Sequence, residues 1–156
     1  MFKNIVTSFV LGVMMGLLLG GLVFKAFDAV RVPAVLLSMS FEVRLFLWVL
    51  VTNSAAFAAL YLISQYSRGY VIVFIYVYGV LAGLLTTPYG IAGLVSMIPH
   101  GTLELYAMDR VVRMASETIT VRYVVATAMV IAVAAFIEAF VDVRIMYVLS
   151  LLTVYF

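Results

Sequence analysis

From Ile5 to Phe24 the chain carries no charged residue, and Leu45 to Gln65 and Tyr70 to Thr87 repeat the pattern; Tyr123 to Val141 breaks it only at Glu138. Crossing the hydrocarbon of a bilayer takes about 20 consecutive apolar residues in a helix. Four runs of this kind constrain the fold more than any other feature. In water they would have to be hidden, and a chain of 156 residues that is 67% hydrophobic and 10% charged has too much apolar surface for a single core. A mean hydropathy of +1.27 places it in lipid. The runs are too long, and too free of alternation, for the two-faced strands of an outer-membrane barrel. The expected fold is all-α: one domain, a polytopic transmembrane bundle of about five helices, in a length that has room for roughly four to six passes.

The spans expected are 5–24, 45–65, 70–87, a broken 91–108 and 123–142, followed by a short C-terminal helix 145–156. Lys3 ahead of an apolar run resembles a secretion signal. The run is longer than the ~7–15 residues of such a signal and has no convincing cleavage site, so it reads as a retained helix. Ser8, Gly12, Gly16 and Gly20 recur every four residues, and Gly79 and Gly83 repeat the spacing in the third span. Small residues on one stripe let two backbones approach closely. Packing inside the molecule is the first reading of this stripe; a homo-oligomer contact is the alternative.

Lys25, Asp28, Arg31, Glu42 and Arg44 surround an apolar middle, Val32 to Met39, that opens at Pro33 and is too short to span. It is expected to lie in the interface or to form a short re-entrant helix. Tyr66-Ser67-Arg68-Gly69 reads as the turn of an antiparallel pair, and Pro88-Tyr89-Gly90 as a break. Only eight apolar residues, Ile91 to Ile98, precede Pro99, so the fourth pass is expected to be interrupted or re-entrant there. Asp109, Arg110, Arg113 and Glu117 read as the solvated face of a short helix, with Asp109 and Arg113 spaced for a surface pair. If 91–108 returns to the side it left, Arg110, Arg113 and Arg122 join Lys25, Arg31 and Arg44 on one side, with Lys3, Arg68 and Arg144 opposite. If it crosses fully, that bias disappears.

Against this background the few polar side chains stand out. His100, the only histidine, and Glu104 are four residues apart, one helical turn, on a helix beginning at Pro99. Gly101 leaves that face bare for close approach. Asn53 is an amide inside the second span and needs a partner. Glu138 lies one turn before Asp142. It either reaches the interface or points inward toward His100, Glu104 or Asn53. The structural reading has His100 and Glu104 satisfy each other and lock the broken segment; the functional reading makes them a proton-handling or cation-binding pair.

Other chemistries are excluded or unsupported. The chain has no cysteine, hence no disulfide, thiolate metal site or cysteine nucleophile. One histidine with Glu104 is too small a ligand set for zinc. No nucleophile elbow, P-loop or dinucleotide fingerprint occurs. A net charge of +2 makes no continuous basic surface for nucleic acid. No metal, cofactor or enzymatic activity is expected.

The segments "IPHGTLELYAM" and "AAFIEAF" resemble the membrane family of stage II sporulation protein M, whose members carry Pro-His-Gly with a Glu three residues after the Gly, and a later Glu in an aromatic-bearing helix. The matching positions are Pro99, His100, Gly101, Glu104, Glu138 and Phe140. Asn53, the first-span glycines and the order of spans agree along essentially the whole chain. Members commonly continue after the Glu with a small, apolar stretch, and with a Pro after the late aromatic residue; this chain has Asp109-Arg110 and Asp142-Val143-Arg144 instead. The resemblance implies about five membrane helices in the cell membrane and, by its namesake, a membrane scaffold for peptidoglycan-degrading partners. A membrane scaffold or assembly component is therefore the first expectation. A small oligomeric transporter or channel using the His/Glu cluster for protons or ions is the second.

Overall fold

The computed structural model describes residues 2–23, 39–116 and 119–155, and among these there is no strand. Six α-helices follow in order: α1 Phe2–Val23, α2 Met39–Ser64, α3 Arg68–Thr86, α4 Gly90–Met114, α5 Val121–Phe136 and α6 Val143–Tyr155. A 3-10 turn, Thr87–Tyr89, joins α3 to α4, and a π-helical stretch, Ile137–Asp142, joins α5 to α6. Among the described residues four helical stretches are long and apolar enough to cross a membrane: Phe2–Leu22, Phe41–Ser64, Arg68–Met114 and Val121–Leu149. The third, 47 residues long, contains the 3-10 turn and folds back on itself. Of the charged residues weighed around the first connection, Lys25, Asp28 and Arg31 lie outside the described residues with Pro33, as does Glu117.

Local chemistry accounts for the boundaries. Ser67 caps α3, its hydroxyl accepting from the Gly69 N–H at 3.2 Å. Thr120 does the same for α5, accepting from the Tyr123 N–H at 3.3 Å. Between α3 and α4 the chain turns at Pro88, which suits the first positions of a helical turn, and at Gly90, whose φ of 55° is a conformation other residues rarely adopt.

The interruption is therefore not at Pro99. Helix α4 runs unbroken through it. The missing proline N–H frees the Val95 carbonyl, but one unmade bond does not end a helix that neighbouring helices hold on several sides. The same continuity removes the short solvated helix expected after residue 108. Asp109, Val111 and Val112 are buried on the last turns of α4.

The glycine stripes are used inside the molecule. Helices α1 and α3 lie parallel and in close contact: a Cβ on Gly12 would meet the Tyr76 carbonyl oxygen, one on Gly16 that of Val80, one on Gly79 that of Phe9 and one on Gly83 that of Val13. Gly20 faces the buried Thr87, whose hydroxyl donates to the Gly83 carbonyl at 2.8 Å. Gly101 differs from the expectation, because a Cβ there would meet only Met97, at an ordinary 3.7 Å. No backbone approaches it.

The core joins the two halves of the bundle, with Ile5, Phe9, Leu60, Ile75, Met108 and Ile131 packed together and buried. At one end Ser64, Arg68, Arg113 and Ser116 line a cavity of about 340 Å³. Arg68 and Arg113 therefore share an end, so α4 returns the full length of α3 and the charge bias that needed 91–108 to double back is lost. At the other end Arg144 meets the fully buried Glu42, with Nη1 at 2.7 Å from Oε1 and Nη2 donating to Oε2 at 3.2 Å. Glu42 and Arg44 lie in the first turns of α2, which begins six residues before the span expected from hydropathy.

Candidate functional site

Three stretches long enough to cross a membrane bring polar side chains to one chamber of about 600 Å³. Helix α2 supplies Asn53, α3 supplies Tyr78, α4 supplies Ser96, His100 and Glu104, and the π-helical stretch supplies Glu138 and Asp142. The remaining wall is mostly apolar or aromatic and includes Phe9, Phe41, Trp48 and Tyr89, with Thr52 and Thr86 donating back to carbonyls of their own helices.

His100 and Glu104 lie one turn apart on α4 as their spacing requires, but each takes its hydrogen-bond partner from another helix. Asn53 Nδ2 donates to Glu104 Oε1 at 2.5 Å, and the Tyr78 hydroxyl donates to Oε2 at 3.3 Å while lying 3.4 Å from Asn53 Oδ1. Nδ1 of His100 donates to Oδ2 of Asp142. The mutual His–Glu lock is replaced by two cross-helix contacts, because side chains from three packed helices enter the space between them. Their carboxylate acceptors are buried: Glu104 is 5% exposed and Asp142 2%. A buried polar group must find a partner or carry a free-energy cost. Asp142 Oδ1 has no hydrogen-bond partner among the described residues.

Glu138 points inward to the chamber wall, within electrostatic reach of His100, Glu104 and Asp142. The π-helical stretch that carries it lengthens each turn by one residue, and such segments recur where side chains are re-aimed at a functional position. The Phe140 carbonyl accepts from the Arg144 guanidinium. Phe140 stacks on Phe136 at 4.6 Å between ring centres and tilts against Phe46 at 6.2 Å, holding this stretch against α2. Pro99 and Gly101 supply no polar atom to the chamber.

Asp142 and Tyr78 join the site without having been singled out in the sequence. For Asp142 a signal existed: Glu138 and Asp142 repeat the four-residue spacing of His100 and Glu104. For Tyr78 there was none, since the chain holds ten tyrosines. The residues read as a solvated face are also partnered. Arg113 Nε donates to the buried Asp109 at 2.7 Å. Arg110 lies 3.8 Å from the centre of the Tyr123 ring and donates to Thr127 Oγ1 at 2.8 Å. The Arg110 contacts fasten α4 to α5 away from the chamber, whereas the Arg113–Asp109 pair stays within α4.

Among the described residues no three His, Asp or Glu side chains are grouped to hold a metal ion. The class these features define is an all-α bundle with membrane-length helices and an open chamber lined by buried and half-buried acidic side chains. No family model, curated protein or solved structure matches the chain.

Proposed function

We propose that this chain is a multi-pass integral membrane protein that passes protons or small cations through its acidic chamber. The observation that carries the reading is the chamber itself: a cleft of about 600 Å³ between helices of membrane length, open on the side of Trp48 and Leu85 and lined by His100, Glu104, Glu138 and Asp142. Ionisable side chains are expensive inside a membrane, and where they occur they face a bundle interior and mark ion or proton pathways. Imidazole and carboxylate groups in sequence along one cavity are the parts of a proton relay. No catalytic step belongs to the proposal.

The resemblance to the stage II sporulation protein M family is part of the same reading. It is supported by the convergence of its polar positions Asn53, His100, Glu104 and Glu138 on one chamber. The scaffold role implied by the namesake would use those residues as a lock. A lock can be built from paired groups alone, whereas Asp142 Oδ1 is left unpaired beside a cavity large enough for solvent or solute. The glycine stripes, spent on the α1–α3 contact, give a scaffold no additional docking face.

Reconstituted vesicles holding a pH-sensitive dye decide between the two. Under an imposed proton gradient the wild type should dissipate the gradient faster than empty vesicles. Glu104→Gln and His100→Gln, at unchanged folded yield, should slow dissipation at least about tenfold, as loss of a proton carrier does. Wild-type rates in both variants would remove these residues from the pathway, and no flux above empty vesicles in the wild type would leave the scaffold reading standing.

A further inference from the structure

The chamber is built asymmetrically, and that asymmetry points to a ligand class. Resting on the reading of the chamber as a binding site, we propose that it takes amphipathic organic ammonium ions. The ammonium group lies against Asp142 and Glu138, and the apolar body lies along Trp48 and Phe41.

Three observations carry this. First, the polar end holds three carboxyl groups, Glu104, Glu138 and Asp142, against a single imidazole, so it has an excess of oxygen acceptors. Second, two of those carboxylates have capacity left. Asp142, nine-tenths or more buried, leaves Oδ1 without a donor, and the half-buried Glu138 side chain makes no hydrogen bond among the described residues. An alkylammonium offers three N–H donors and a positive charge to such oxygens. Third, the volume and the wall leave room for an organic body beside the cationic group. About 600 Å³ falls in the range of sites for drug-sized molecules, roughly 300–1,000 Å³. No three acidic or imidazole groups among the described residues are set to coordinate one ion. Aromatic and aliphatic side chains instead form the surface that buries an organic body, and aromatic faces attract cations.

Trp48 is the only tryptophan of the chain and lines the chamber, so its fluorescence reports occupancy. The probe is 4-bromobenzylammonium, whose bromine quenches indole emission on contact. The uncharged 4-bromobenzyl alcohol, of nearly the same shape, controls for partitioning into detergent. The expected result is saturable quenching by the ammonium, relieved by excess benzylammonium and absent with the alcohol. Glu138→Gln should bind at least about tenfold more weakly. Because the Glu138 side chain makes no hydrogen bond among the described residues, this variant keeps the fold, which circular dichroism and elution volume check. Equal quenching by the alcohol, no saturation, or an unchanged affinity in Glu138→Gln each overturns the proposal. Its failure is separable from that of the flux reading: proton flux without ammonium binding sinks only this inference, and ammonium binding without flux sinks only the other.

Discussion

Glu42 has a side chain 1% exposed and Arg144, its partner across the bundle end, one 51% exposed. Burying a carboxylate requires desolvating it, and the guanidinium offsets that only while it stays in place. Arg144→Gln should therefore destabilise the folded protein in detergent by about 1–3 kcal/mol, less than a fully buried pair because water screens the exposed partner. Adding Glu42→Gln should recover most of the loss, since no charge is then left buried. Thermal melts of the two single variants and the double variant measure the coupling, and additive losses would show that the pair contributes nothing. The same reasoning separates residues whose role could be read from type alone from those whose role could not. Asn53, His100, Glu104 and Glu138 were conspicuous because each is polar in an apolar run. Which partner each takes depends on the neighbouring helix, so His100 pairs with Asp142 and Glu104 with Asn53.

At the scale of the helix, a glycine has two different meanings here. Along α1 and α3 they admit a neighbouring backbone, and any Cβ would have to displace a carbonyl oxygen that cannot rotate away. Gly16→Ala is expected to lose about 1–3 kcal/mol, the range of overpacking in a close-packed interior. Gly101→Ala should be neutral or slightly stabilising, since it fills ordinary space and favours the helix. Melting temperatures of the two variants check the contrast; equal shifts would mean that α1 and α3 are not in close contact. Pro99 illustrates the converse. A proline preceded by only eight apolar residues looks like a helix end, yet α4 extends for 25 residues around it because tertiary contacts outweigh one lost hydrogen bond. The π-helical stretch had no counterpart in the sequence, because its register is set by what Glu138, Phe140 and Asp142 meet on other helices.

For the whole molecule, the contacts set which ends lie together. Ser67 and Ser116 are exposed at the end that carries Arg68 and Arg113, and the exposed Arg44 belongs to the end where Glu42 meets Arg144. The chain has no cysteine, so single introduced cysteines are clean probes. In sealed vesicles of uniform orientation, a membrane-impermeant maleimide should label Ser67→Cys and Ser116→Cys from one side and Arg44→Cys only after the vesicles are opened. Labelling of Ser67→Cys and Ser116→Cys from opposite sides would overturn the α3–α4 hairpin. Composition and run length by themselves determined that this is an all-helical chain with helices fit for a bilayer, because hydrophobic transfer is a sum over residues and needs no knowledge of neighbours. They also singled out most of the polar residues of the chamber, since an ionisable group in an apolar run is visible without coordinates. Only the tertiary structure decided that α1 lies parallel to α3, that α4 passes through Pro99, and that Tyr78 and Asp142 complete the chamber. Those outcomes depend on which helix faces compete for the same space, a property of pairs of segments that no single stretch of sequence contains.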